Sequence, residues 1–155
     1  MNMTFEQYDR LTELRSFFVT VPDEKLEMRC WRMGFNLDTG EFCMTAGCLL
    51  GWAATHLPFV HQGLMFVKGN PTYNGLLSDA AFVAFFGVDY EEAHMLIYPH
   101  QYGDEYAETY LIGDGVMVRN ENRKRVPKEL VLARLDETIA RYAPYFEQRF
   151  LEAAE

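Results

Sequence analysis

Cysteine, histidine and carboxylate side chains supply most small catalytic and metal sites, and in this chain they gather around one stretch. CMTAGCLLGW, residues 43–52, holds Cys43, Cys48 and Trp52, and His56 and His61 follow it. Cys43, Cys48, His56 and His61 are the right types for zinc. AGCLLGWAATHL, however, predicts a single helix over residues 46–57, with Thr45 as its N-cap and Pro58 as its stop. On a straight helix Cys48 and His56 lie about 12 Å apart, at roughly 1.5 Å per residue. Zinc ligand atoms each sit about 2.0–2.3 Å from the ion. The spacing therefore argues against a metal site, and no cofactor is expected.

A second chemistry is nucleophilic. Cys48 in a first helical turn meets exposed amides and the helix dipole, which favour a thiolate. Papain-like hydrolases place their cysteine so, with a tryptophan nearby, and need a histidine from elsewhere. His94 and His100 are the candidates, with Asp104 to orient one of them, but the residues before Cys48 do not match a papain signature. A third reading is packing. Ala46, Gly47, Gly51, Ala53 and Ala54 are small, and Trp52 lies four residues after Cys48 on the same helical face. This reading accounts for the most residues: Cys43, Cys48, Gly51 and Trp52 form a structural motif at and before the start of a closely packed helix.

Two surface segments carry other candidates. RNENRKRVPK, residues 119–128, sets Arg119, Arg123, Lys124, Arg125 and Lys128 at a predicted helix start, where amides also attract anions. It could hold a phosphate or a nucleotide-like ligand; the competing reading is a solvated turn. DYEEAHMLIYPHQYGDEYAE, residues 89–108, is rich in acids and tyrosines. Glu91, Glu92, Tyr98, His100, Tyr102, Asp104 and Tyr106 are candidates for contacts with a protein partner, because tyrosine offers rigid amphipathic area.

The elements that must position these groups are mostly helical. Residues 4–19 predict a helix capped by Thr4, and PDEKLEM a short one opened by Pro22. RCWRMGF alternates like a short strand, NLDTGEF is a turn, and GNPTYNG, residues 69–75, reads as a loop. Residues 77–86, apolar on nearly every side, predict a central helix ended by Gly87. Asp89 and Glu92 form a capping-box pattern for a helix that Pro99 ends. ETYLIGDGVMVRN predicts a hairpin around Gly113-Asp114-Gly115. Pro127 opens a long last helix, and Pro144 is expected to kink it or to start another.

The fold class expected is mainly α (α+β): residues 1–155 as a single domain, a compact bundle of about five to six helices with a small β-hairpin. Hydrophobic residues make up 49% of the 155, enough for a real core. The net charge of −9 repels phosphate backbones, so general nucleic-acid binding is not expected. The charged first residues lack the apolar core of a secretory signal, and AAFVAFFGV is too short to span a bilayer. The three cysteines, Cys30, Cys43 and Cys48, are an odd set, read as reduced in a cytoplasm; that compartment opposes a Cys43–Cys48 disulfide.

FCMTAGCLLGWAA, followed by the A..FFGV and EEA..LIYP pattern of residues 81–99, resembles a group of small phage and prophage proteins. These carry a Cys-Gly-Thr-x-x-Cys-x-x-Gly-Trp-type motif, then a helix ending in a Leu-Gly-Leu turn and an acidic helix ending near Trp-Pro. The resemblance covers roughly residues 26–99. Met44 stands where the motif has glycine and Tyr98 where it has tryptophan, so a special backbone turn after Cys43 is not implied. The group has no established common activity, and the resemblance makes neither Cys43 nor Cys48 catalytic. It implies a phage-type accessory protein in the cytoplasm of a bacterial host. Together with the acidic charge it leads to the expectation of a protein that binds a host protein, as an inhibitor of a defence system or of a host enzyme. The alternatives are a nucleotide or small-molecule binder using the basic turn, and a cysteine hydrolase using Cys48.

Overall fold

A computed structural model describes residues 3–28, 33–35, 42–46, 48–112 and 115–153. The architecture is mainly helical α+β. In chain order the elements are α1 (Phe5–Thr20), β1 (Met33–Phe35), β2 (Phe42–Ala46), α2 (Leu49–Ala53), α3 (Leu57–His61), β3 (Met65–Val67), β4 (Asn70–Tyr73), β5 (Leu76–Leu77), α4 (Ser78–Phe86), α5 (Tyr90–Ile97), β6 (Thr109–Ile112), β7 (Val116–Arg119) and α6 (Lys128–Ala153). Single 3₁₀ turns span Asp23–Lys25, Pro99–Tyr102 and Asp104–Tyr106.

Helix α1 begins where expected. The Thr4 hydroxyl accepts from the Gln7 amide at 3.2 Å, and Gln7 Oε1 accepts from the Thr4 amide at 2.9 Å. This reciprocal cap satisfies two amides that have no partner within the helix. Its apolar stripe of Leu11, Leu14 and Phe18 is fully buried. Pro22 precedes a 3₁₀ turn rather than an α-helix.

The core is aromatic at its centre. Phe59 of α3 meets Phe85 and Phe86 of α4 edge-on, with centroids 5.2 and 5.5 Å away. Such edge-to-face pairs add about 0.5–1.5 kcal/mol each beyond area burial. Leu49, Leu50, Leu96, Val131 and Leu135 close the core from α2, α5 and α6. Buried Arg10 ties three elements together: it donates to Gln62 Oε1 at 2.7 Å, to the Phe85 carbonyl at 3.1 Å and to Glu6 at 2.6 Å. Gly87 ends α4 in the left-handed region at φ 73°. A Cβ there would sit 2.6 Å from Gln7 Oε1, so any other residue would also have to displace the Gln7 side chain from the α1 cap.

Three local expectations are corrected. Residues 46–57 are not one helix. Thr45 and Ala46 belong to β2, which pairs with β1 antiparallel, and Thr45 is not the cap. Cys48 is the N-cap of α2, its Sγ accepting from the Gly51 amide at 3.4 Å. Pro58 does not stop that helix; it stands in the first turn of α3, where a missing N–H costs nothing. Residues 69–75 are not a loop. Lys68-Gly69 and Asn74-Gly75 each have positive φ at both positions, the geometry of tight two-residue hairpin turns. They fold β3, β4 and β5 into an antiparallel meander, with Met65 opposite Thr72 and Thr72 opposite Leu77.

The β6–β7 hairpin is present, pairing Thr109 with Arg119 through Ile112 with Val116. Gly113 and Asp114 of its expected turn lie outside the described residues, as do Cys30 and residues 36–41 of the NLDTGEF turn. Helix α6 runs 26 residues through Pro144 without a second start. Proline leaves the carbonyl four residues back without its helical partner. That residue, Ala140, is exposed, so water can take the bond. Among the described residues no helix is long and apolar enough to cross a membrane.

Candidate functional site

The acidic, tyrosine-rich segment divides into an inward and an outward half. Asp89 caps α5: its Oδ1 accepts from the Glu92 amide at 2.8 Å, and Glu92 Oε2 accepts from the Asp89 amide at 3.1 Å. Glu92 is only 8% exposed. It also accepts from the Tyr142 hydroxyl and pairs with Arg141 at 3.3 Å. Burial, then Glu92, hold the Tyr142 phenol well above its ordinary pKa. Tyr102 points inward too. Its hydroxyl donates to the Leu96 carbonyl at 2.8 Å, and burial drives its pKa up against the opposing pull of Arg134. Arg134 donates to the carbonyls of Met95 and Gln101 at 2.6 and 3.0 Å and lies 4.1 Å from the Tyr102 ring centroid. One guanidinium from α6 thus fastens the end of α5 and the turn after it. Tyr106 is buried as well.

The outward half follows from helical spacing. Tyr90, His94 and Tyr98 recur every four residues and form one stripe along α5. Tyr90 is 56% exposed, Glu91 and His94 are exposed, and Tyr98 is half-buried. His94 Nε2 lies 2.8 Å from Asp79 Oδ2 of α4, and the Tyr98 ring meets the His94 ring edge-on at 4.9 Å. Burial first, and then the charge and hydrogen bond of Asp79, raise the Tyr98 phenol pKa. His100 stands 5.9 Å from Tyr98, and Asp104 and Glu105 are exposed. Of the seven residues singled out in this segment, Glu91, His100 and Asp104 are exposed and Tyr98 is half-buried, while Glu92, Tyr102 and Tyr106 serve the interior. Sequence reading missed Asp79, which is fifteen positions from His94 with nothing local to link them. It also missed Tyr90, which the four-residue stripe could have supplied.

The candidate nucleophile is shut away from solvent. Cys48 is 1% exposed and lies close enough to Tyr98 and Tyr102 to affect their ionisation. His94 is held by Asp79, and His100 is at the surface beside Gln101. Asp104 is exposed and receives Asn120 on its backbone carbonyl, not a histidine on its carboxylate. Trp52 donates to the Lys25 carbonyl at 3.0 Å, which anchors the first 3₁₀ turn. His56, the expected zinc partner of Cys48, stacks on Phe17 at 4.1 Å and lies 2.8 Å from Glu13. No group of three or more histidine, cysteine or carboxylate side chains is placed to hold a metal ion among the described residues.

The basic turn is spent largely on the fold. Arg125 donates to the carbonyls of Asp23, Glu24 and Leu26. Lys128 donates to those of Val19 and Val21 at 3.0 and 2.9 Å. Lys124 pairs with Glu105 at 3.2 Å. Arg119 is exposed and Arg123 half-buried. The hollow beside Arg125 and Lys128, about 290 Å³, is lined also by Asp23, Glu24 and Glu129. A phosphate there would face three carboxylates and two cations. Comparison with protein-family models, with curated proteins and with solved structures finds no match for the chain.

Proposed function

We propose that the protein is a small acidic binding protein that docks the α5 face on a basic surface of another protein. The observation that carries the reading is the Tyr90–His94–Tyr98 stripe, with Tyr90 and His94 exposed, Tyr98 half-buried, and Asp79 and Glu91 beside it. Aromatic groups on a rigid helix lose little conformational freedom on binding, and carboxylates around them favour a basic partner. Capping by Asp89 and fastening by Arg134 hold the stripe before any partner arrives. The phage-type motif of residues 43–52 makes a host protein the expected target. Inhibition of a defence system or host enzyme is the consequence we infer from masking such a basic surface.

Capture of partners from bacterial lysate by the tagged chain, read by mass spectrometry, tests the proposal. One protein recovered near stoichiometrically and released by salt is the expected result. The triple variant Tyr90→Ala, Tyr98→Ala, Asp104→Ala should lose it. A partner retained by the triple variant would place the contact elsewhere on the molecule.

A further inference from the structure

Where α5 begins, the outward stripe adjoins a cleft of about 580 Å³. Val83 and Val88 give it apolar walls, and Asp89, Glu92, Arg141 and Tyr142 give it polar ones. Its dimensions fall within the roughly 300–1,000 Å³ of small-ligand sites. Glu92 is the group at issue. Its side chain is 10% exposed, and its two oxygens are held very differently. Oε2 is fixed by the Asp89 amide and the Tyr142 hydroxyl. Oε1 faces Arg141 at 3.3 Å, and the Arg141 side chain is 55% exposed. Charge-assisted pairs of good geometry close to about 2.7–2.9 Å. The resident cation is therefore a loose one at the rim. Asp89 uses Oδ1 for the cap.

We propose that this cleft receives an arginine side chain of the docked partner, which takes Glu92 Oε1 over from Arg141. The inference rests on the reading of α5 as a docking face, because the cleft and the stripe share the first turn of that helix. Two neighbouring carboxylates suit a planar guanidinium fork better than a point-charge ammonium, and apolar walls suit the alkyl stem. Displacement leaves Arg141 in water, where a long cation is at little disadvantage.

The test titrates the full isotopically labelled chain with a blocked Ala-Arg-Ala peptide and follows the amides of Gly87, Val88 and Asp89 by NMR. Saturable shifts are expected with arginine and none with norleucine in its place. Arg141→Ala, which removes the resident competitor, should bind several-fold tighter. Glu92→Gln keeps an acceptor for the cap and for Tyr142 and should bind about tenfold weaker or worse. Absence of saturable shifts in Arg141→Ala, or unchanged affinity in Glu92→Gln, would overturn the proposal. Equal binding of a lysine peptide would overturn the choice of arginine. No host partner enters this titration, so its failure leaves the lysate capture standing, and a failed capture leaves the cleft standing.

Discussion

The basic turn of residues 119–128 and the acidic segment of residues 89–108 both suggest binding surfaces by their charge, and the fold uses them in opposite ways. The turn sends its longest cations inward. Arg125 and Lys128 reach five backbone carbonyls between Val19 and Leu26, at the end of α1 and in the turn after it. The acidic segment keeps Glu92 inside but leaves Tyr90, Glu91, His94 and Asp104 in water. A long cationic stem can snorkel across a surface and end on a carbonyl, since carbonyls only accept. A carboxylate is short and needs N–H or O–H donors, which are scarce at a helix C-terminus and free at an N-terminus. Charge density in a sequence therefore does not by itself mark a surface: a long cation can turn back onto carbonyls at a helix end, and an acid beside a helix N-terminus can turn inward to its amides.

The comparison breaks most visibly at Glu92. Glu92→Ala removes the cap partner of the Asp89 amide and leaves the Tyr142 hydroxyl buried without its acceptor. The expected loss is about 2–4 kcal/mol of unfolding free energy, measured in urea. A loss below about 1 kcal/mol would mean that Glu92 belongs with the outward half of the segment.

Arg134 comes next, because it fastens the segment from outside it. Arg134→Ala should cost about 1.5–3 kcal/mol, from two charge-assisted bonds to carbonyls and the stacking on Tyr102. Hydrogen exchange of residues 95–102 should rise in parallel. Unchanged exchange there would show that the Pro99–Tyr102 turn holds itself.

The basic turn provides the internal contrast. Lys128→Ala should cost about 1–2 kcal/mol, and Arg125→Ala about 1 kcal/mol because its surroundings are more exposed. Arg119→Ala and Arg123→Ala should stay within about 0.5 kcal/mol. If all four were equally mild, the turn would be the solvated one that composition alone suggests.

How much of this was legible follows from the kind of signal. Thr4 with Gln7, and Asp89 with Glu92, are caps made by side chains three residues apart, and such local geometry is written directly in sequence. Cys48 is a cap too, but cysteine is not among the usual capping types, and the small residues around it read as one helix. The Asn74-Gly75 turn was legible as a hairpin signal. It was hidden by Pro71 in the middle strand and by strands of two to four residues, too short for alternation to register. The Asp79–His94 pair and the grip of Arg134 on Met95 and Gln101 depend on how distant elements pack, which no spacing within the chain declares.

Two inward-facing phenols, Tyr102 of the acidic segment and Tyr142 of α6, also set how the fold responds to alkali. Tyr102 and Tyr142 are both harder to ionise in the folded chain than in water, chiefly because burial disfavours the phenolate. A group that binds its proton more tightly when folded contributes its full stability below the ordinary phenol pKa of about 10. Above that value the unfolded chain gains by ionising while the folded chain cannot, so stability falls as pH rises toward the raised folded value. Thermal midpoints should therefore hold to about pH 9 and drop steeply by about pH 11. The phenolate absorbance of these two residues should appear only with unfolding. Tyr102→Phe and Tyr142→Phe should each begin less stable at neutral pH, by about 1 kcal/mol for the lost hydrogen bond. Each should also flatten the alkaline slope, and the double variant most of all. A double variant that lost stability as steeply as the parent would assign the alkaline transition to other groups.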